Sequence, residues 1–170
     1  MNEIQVKVAT KADLPFIVAI YNQTIPSHVV TASLVPVTVE QRLPWLEAHK
    51  STEHPIWVVW LNGKRAGWVS LSPYHPRAAY HITSEISIYI DRQFQHLGLG
   101  TKMVKYAELA APKLGIKNIV CLIFGANLPS LGLFEKLGYE TWGTLPKVAE
   151  LDGRLMDLKI LGKSIQLVSN

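Results

Sequence analysis

The 170-residue chain holds a single cysteine, Cys121, so no intramolecular disulfide can form. That suits a reducing cytoplasm, which is the expected location. Cys121 lies in the apolar run Ile119-Val120-Cys121-Leu122-Ile123, where a small buried hydrophobe is expected. A nucleophilic thiol needs a polar, electropositive neighbourhood instead. No apolar run reaches membrane-spanning length, and Met1 to Val6 has no basic stretch leading into an apolar segment. Neither a membrane span nor a secretory signal is therefore expected. The histidines (28, 49, 54, 75, 81 and 96) fall at no metal-ligand spacing, and no cysteine or carboxylate cluster joins them, so no metal is expected. Repeats, low-complexity tracts and linkers are missing too. The net charge of +4 is scattered, which speaks against nucleic acid. A mildly positive field suits a polyphosphorylated ligand and plain solvation alike. What is present is an ordinary globular composition, 48% hydrophobic and 18% charged. The length suits one domain, residues 1–170, burying about 70% of its unfolded surface.

Ile4 to Ala9 alternates as a first strand. Thr10 offers an N-cap for a helix to about Thr24, with Asp13 in its first turn and Pro15 early enough to be tolerated. Thr38-Val39-Glu40-Gln41 has the form of a capping box for a second helix ending near Lys50, which Pro44 should kink or delay. Ile56 to Leu61 and Ala66 to Leu71 flank Asn62-Gly63, a hairpin signal because both turn positions need positive φ. Ile82 to Ile90 is the clearest strand: Ile82, Ser84, Ile86, Ile88 and Ile90 on one face, Thr83, Glu85, Ser87 and Tyr89 on the other. A helix from about Gly98 to Leu114 follows, closed by Gly115. Then come a buried strand from Asn118 to Phe124 and a short helix from Pro129 to Leu137, closed by Gly138. The last hairpin pairs Tyr139 to Thr144 with Leu155 to Leu161 across Asp152-Gly153. The order is βααβββαβαβ, an α/β mixed sheet with helices on both faces.

Gln95-His96-Leu97-Gly98-Leu99-Gly100-Thr101 joins the alternating strand to the long helix. Such a loop binds anions: glycines let the backbone approach a ligand, and the helix start adds unpaired N–H groups and a positive dipole end. A Walker loop would end in Gly-Lys-Ser/Thr, and Gly100-Thr101-Lys102 has the order wrong. A Rossmann fingerprint wants a third glycine where Met103 stands. The remaining pattern, Gln-x-x-Gly-x-Gly after a fourth strand, resembles the pyrophosphate loop of the GNAT acetyltransferases. Asn127-Leu128-Pro129-Ser130 leading to Leu137-Gly138-Tyr139 is similar to that family's stretch bordering the pantetheine arm. Closer kinship is to the phosphinothricin and methionine sulfone or sulfoximine branch. It is carried by Ala9-Thr10-Lys11-Ala12-Asp13-Leu14-Pro15, Gly67-Trp68-Val69-Ser70-Leu71, and above all Pro76-Arg77-Ala78-Ala79-Tyr80 with Thr83-Ser84-Glu85-Ile86-Ser87-Ile88-Tyr89-Ile90. The resemblance runs from about Val8 to Leu158.

The resemblance implies the GNAT acyl-CoA N-acyltransferase fold, a mostly antiparallel central sheet with strands 4 and 5 splayed, and direct transfer from acetyl-CoA as co-substrate. It assigns cofactor binding to Ile88, Tyr89, Ile90, Gln95, His96, Leu97, Gly98, Leu99, Gly100, Thr101, Asn127 and Ser130, and a homodimer to the assembly. An amine near neutral pH is mostly ammonium, so a base must take its proton. Glu85, on the polar face and matching the family's strand Glu, is that candidate. A structural ion pair is its competing role. Arg77 is placed to clamp an amino-acid carboxylate, or stands as a solvated surface residue. The sequence departs from the branch at Ile25 to Val30, at Gln95-His96-Leu97-Gly98, at Ile86 (usually His) and at Leu155 (usually Trp). These departures leave the acceptor amine open. The expected acceptor is a small amino-acid-like amine of the phosphinothricin or methionine sulfone type. A polyamine, a protein N-terminus, or a non-catalytic acetyl-CoA sensor remain alternatives.

Overall fold

A computed structural model describes residues 3–165. Its strands are β1 (Ile4–Val8), β2 (Ile56–Leu61), β3 (Lys64–Pro73), β4 (Thr83–Ile90), β5 (Asn118–Phe124), β6 (Glu140–Leu151) and β7 (Arg154–Ser164). The helices are α1 (Leu14–Asn22), α2 (Val39–Ala48), α3 (Leu99–Ala110) and α4 (Leu128–Lys136). The strands form one sheet in the order β1-β2-β3-β4-β5-β7-β6. Among the described residues only β4 and β5 run parallel; the other neighbours are antiparallel.

Local chemistry sets the element ends. Thr38 accepts from the Gln41 N–H at 3.2 Å, and the Gln41 side chain accepts from the Thr38 N–H at 2.9 Å, so α2 starts where its capping box stands. Pro44 lies inside α2 without delaying that start. Lys11–Asp13 forms a tight 3-10 turn ahead of α1, with the Thr10 N–H donating to Asp13. The helix then ends at Asn22, short of the expected Thr24. α3 stops at Ala110 and tightens into a 3-10 turn, Ala111–Leu114, where Pro112 has no N–H to continue the ladder. Asn62 and Gly63 both take positive φ, 50° and 75°, between β2 and β3.

The last hairpin corrects the sequence reading. Both arms run well beyond the expected limits, and the order closes on two strands, βααβββαβαββ. β6 is an edge strand, mostly exposed, with register shifts at Thr141/Gly143 and Leu145/Ala149. Pro146 reads as a breaker, yet an edge strand at a bulge tolerates it. The expected turn at Asp152 and Gly153 is present, with φ of 50° and 71°.

Two apolar layers enclose the sheet. Leu99, Met103, Val104 and Ala107 of α3, with Leu131 and Phe134 of α4, pack on Val69, Leu71, Ile86, Ile119 and Cys121. On the opposite face, Ile17, Ile20 and Tyr21 of α1 pack with Ile56, Val58 and Trp68. The alternation of β4 is thus used on both sides. Ile86 is buried in the first layer, while Tyr89, and by parity Glu85, faces the α1–α2 side.

Candidate active site

β4 and β5 pair at Thr83↔Asn118, Ser84↔Ile119 and Glu85↔Val120, then separate. β4 stays with β3 as far as Gly67↔Ile90, and β5 stays with β7 as far as Phe124↔Leu158. A wedge opens between them with Glu85 at its apex. The Asp91 N–H donates to the Ala66 carbonyl at 2.9 Å. Alternation then turns the main-chain groups of Ser87 and Tyr89 toward β3, and those of Ile88 and Ile90 into the wedge. The main chain of Tyr89 therefore belongs to the β3–β4 ladder. Its ring stacks on Trp68 at 4.6 Å and tilts against Tyr21 at 5.3 Å.

Glu85 is partly buried, and burial raises its pKa above the ordinary glutamate range. Its carboxylate makes no hydrogen bond or ion pair with another described residue. The structural ion pair that competed with a base is thus missing among the described residues.

At the open end of the wedge stands the glycine loop. His96 and Gly98 adopt left-handed φ of 62° and 74°, and Gly98 caps α3. The Lys102 N–H reaches back to the Gly98 carbonyl at 3.4 Å, so the amides of Leu99, Gly100 and Thr101 precede the first intrahelical bond. The two glycines answer different demands. Nothing lies within 4 Å of a Cβ at Gly98, so that position needs glycine for conformation alone. A Cβ at Gly100 would come within 3.0 Å of Leu133 and 3.6 Å of the Ile90 side chain, so that glycine lets α3 approach α4 and β4. Gly98→Ala should cost about 1 kcal/mol of left-handed strain, or about 2–4 °C in melting temperature for a chain of this size. Gly98→Asn, which tolerates that region, should recover most of it; equal melts for all three proteins would refute the assignment. Gln95, His96 and Leu97 are exposed along the loop.

Across the wedge, Asn127 is buried just beyond β5, and its Oδ1 accepts from the Ser130 N–H at 3.4 Å to cap α4. Its amide nitrogen keeps both hydrogens uncommitted among the described residues. Arg77 is exposed in the β3–β4 loop beside a cluster of Tyr74, His75 and Tyr80, and makes no ion pair among the described residues. Cys121 is in the core, its thiol pushed up to about 12 by burial and then by Glu85. Tyr139 packs edge-on against Phe134 at 5.0 Å with Lys163 over its ring, and belongs to the core.

Sequence reasoning missed the wall that α2 supplies. Arg42 lies over the rings of Tyr21 and Trp45 at 4.5 and 5.0 Å, Trp45 meets Trp68 at 5.5 Å, and His49 hydrogen-bonds Ser72 at 2.9 Å. Their spacing, i, i+3 and i+7, puts all three on one helix face and was the available signal.

A seven-strand sheet splayed at its parallel pair, with these helices on its faces, is the GNAT acyltransferase architecture. The profile of the Acetyltransferase (GNAT) family matches residues 17–139, and the chain belongs to that family. YwnH of Bacillus subtilis (strain 168), provisionally named a phosphinothricin acetyltransferase, is 44% identical over 160 residues, spanning 94% of this chain and 98% of its own. The L-methionine sulfoximine/L-methionine sulfone acetyltransferase of Pseudomonas paraeruginosa is 30% identical, spanning 92% of this chain and 91% of its own. The yncA acetyltransferase structure from Salmonella typhimurium, solved with its cofactor acetyl-CoA, superposes with a TM-score of 0.89 at 26% identity, covering 99% of this chain and 97% of that one.

Proposed function

We propose that this chain, as a single N-acetyltransferase domain of 170 residues, moves the acetyl group of acetyl-CoA directly onto the amino group of a small amino-acid-like acceptor of the phosphinothricin or methionine sulfone type. The observation that carries this reading is the wedge itself, with an unpaired, half-buried carboxylate at its apex and free main-chain groups along its β4 arm. Acetyl-CoA supplies the activated acyl group. In this reading the amides of Leu99, Gly100 and Thr101 hold its pyrophosphate, with Gln95, His96, Leu97 and Gly98 shaping the loop. Ile88 and Ile90 offer main-chain partners to the pantetheine arm, and a main-chain N–H there polarises the thioester carbonyl. Asn127 and Ser130 border the same arm from α4. Tyr89 takes part through its ring, as floor of the acceptor side. Glu85 accepts the ammonium proton, and Arg77 pairs with the acceptor carboxylate. A thiol held protonated in the core, as Cys121 is, supports direct transfer over an acyl-cysteine intermediate.

The same proposal takes the enzyme to be a homodimer acting in the cytoplasm. Exposed Trp142, Leu145, Val148 and Leu155 on the β6–β7 hairpin support a subunit contact. The experiment that tests the function is thiol release from acetyl-CoA with methionine sulfone, phosphinothricin, polyamines and a short peptide. Fast release with an amino-acid-like amine is the expected result. Preference for a polyamine or peptide would move the acceptor class, and tight acetyl-CoA binding without release would leave a sensor. With the preferred amine, Arg77→Ala should raise the acceptor KM about tenfold or more while the acetyl-CoA KM holds. An unchanged acceptor KM would return Arg77 to the solvated surface.

A further inference from the structure

We propose that Ser72 and His49 form a proton relay that empties Glu85 during acetyl transfer. The inference rests on the reading of Glu85 as the base. Ser72 stands directly opposite Glu85 in the β3–β4 register, on the same face of the sheet. Such cross-strand pairs bring their Cβ atoms to about 4.5–5.5 Å. Ser72 Oγ lies 2.9 Å from His49 Nε2, and His49 Nδ1 lies 2.7 Å from the Trp45 carbonyl.

The Trp45 carbonyl fixes the tautomer. A carbonyl only accepts, so Nδ1 must carry the hydrogen, and in the neutral ring Nε2 is then an acceptor. Ser72 can satisfy that acceptor only by donating its hydroxyl hydrogen. Its oxygen lone pairs are left to accept from Glu85, whose carboxylate makes no hydrogen bond to Ser72 in this structure and meets it, in the proposal, once protonated by the acceptor amine. The order of donors therefore runs one way, from Glu85 through Ser72 to His49.

The proton balance closes. The substrate ammonium gives a proton to the Glu85 carboxylate. Glu85 passes it to Ser72 Oγ as Ser72 passes its own to His49 Nε2, leaving an imidazolium, a neutral serine and a regenerated carboxylate. His49 also lines a surface depression with Lys11 and Ser51, where the imidazolium sheds a proton to water. The charged and titratable groups facing His49 favour rapid release. Burial lowers its pKa first and Arg42, two turns back on the same helix face, lowers it further; His54 in the following loop is itself held low by burial and then by His49, and Lys11 shares the depression. Glu85, across Ser72, is the compensating negative charge while the imidazolium exists.

Two measurements test the relay, one independent of turnover. Nitrogen NMR of the full chain should find the neutral His49 ring protonated at Nδ1; a proton on Nε2 would overturn the proposal, since Ser72 could not then donate. In steady-state kinetics with the preferred amine, Ser72→Ala and His49→Gln should each lower kcat about tenfold and shift its pH profile, with acetyl-CoA KM unchanged. Ser72→Thr, which restores the hydroxyl, should recover kcat. Unaltered kcat and pH profile in both variants, beside an inactive Glu85→Gln, would sink the relay and leave the base standing. Full activity in Glu85→Gln would instead remove the base, and the relay with it. A fall in kcat that tracks a lower melting temperature and that Ser72→Thr fails to repair would reduce the pair to a structural bracket.

Discussion

Glu85→Gln should lower kcat by about 10²–10⁴-fold, the range that a positioned general base contributes, while acetyl-CoA affinity stays near that of the parent. It should also make the protein more stable. The carboxylate is partly buried at the wedge apex and has no described partner, so its charged form carries a desolvation cost that glutamine escapes. The sign follows from linkage. Burial raises the folded-state pKa above the ordinary value of 4.5, so well below 4.5 the group is protonated folded or unfolded, and glutamine confers no advantage. As pH rises through 4.5 the unfolded chain ionises first, and the parent loses stability relative to the variant until the folded carboxyl has ionised too. The melting-temperature gap should thus open above pH 4.5 and level off beyond the folded-state pKa. The same raised value makes kcat/KM fall on the acid side at a pH above that of an ordinary glutamate. Thermal melts across pH, alongside thiol-release kinetics, check both halves. A variant that is inactive and less stable at every pH would mean that Glu85 supports the fold.

The elements that positioned this site were legible where local chemistry sets them. The period-two alternation from Ile82 to Ile90 separates Glu85 from Ile86 without any tertiary information. The capping box at Thr38 and the glycine at 98 mark their helix starts as directly. Other features live in pairings that no local pattern encodes. Nothing in Ile86 to Ile90 says that β5 turns away after Val120, and the wedge was expected only through the family resemblance. Tyr89 shows the same limit, because which neighbour its main chain faces depends on the β3 register at Asp91 and Ala66. β6 escaped full recognition since an exposed edge strand has no apolar alternation and carries Pro146. His49 was visible as a residue, but its meaning required α2 to lie over β3 at Ser72.

Gly67→Ala should damage fold and cofactor binding together, through one contact. A Cβ at Gly67 would sit 2.5 Å from the Tyr89 carbonyl oxygen and 3.2 Å from the Ile90 Cα. Both atoms are backbone, so no rotamer change relieves the clash, and a strand must move. β2 binds Gly67 on the other side at Val59, next to the register shift between Val59 and Trp60. Beyond Val120, by contrast, β4 has lost its β5 partner. The arm from Ile88 to Ile90 is therefore the yielding side, and it moves into the wedge, where its free main-chain groups are proposed to meet the pantetheine arm. Overpacking of this kind costs about 1–3 kcal/mol, or about 2–12 °C in melting temperature at this chain length. Acetyl-CoA affinity should fall about tenfold or more, since a displacement near 1 Å disrupts paired hydrogen bonds. Calorimetric titration with acetyl-CoA and thermal melts read the two effects. Gly132→Ala, at an exposed helical position where a Cβ meets nothing within 4 Å, serves as the control: it should leave acetyl-CoA affinity near the parent value and, since alanine favours helix, raise rather than lower the melting temperature. If Gly67→Ala lost stability yet bound acetyl-CoA as the parent does, the strain would have gone toward β2, and the free arm of β4 would be stiffer than its missing partner implies.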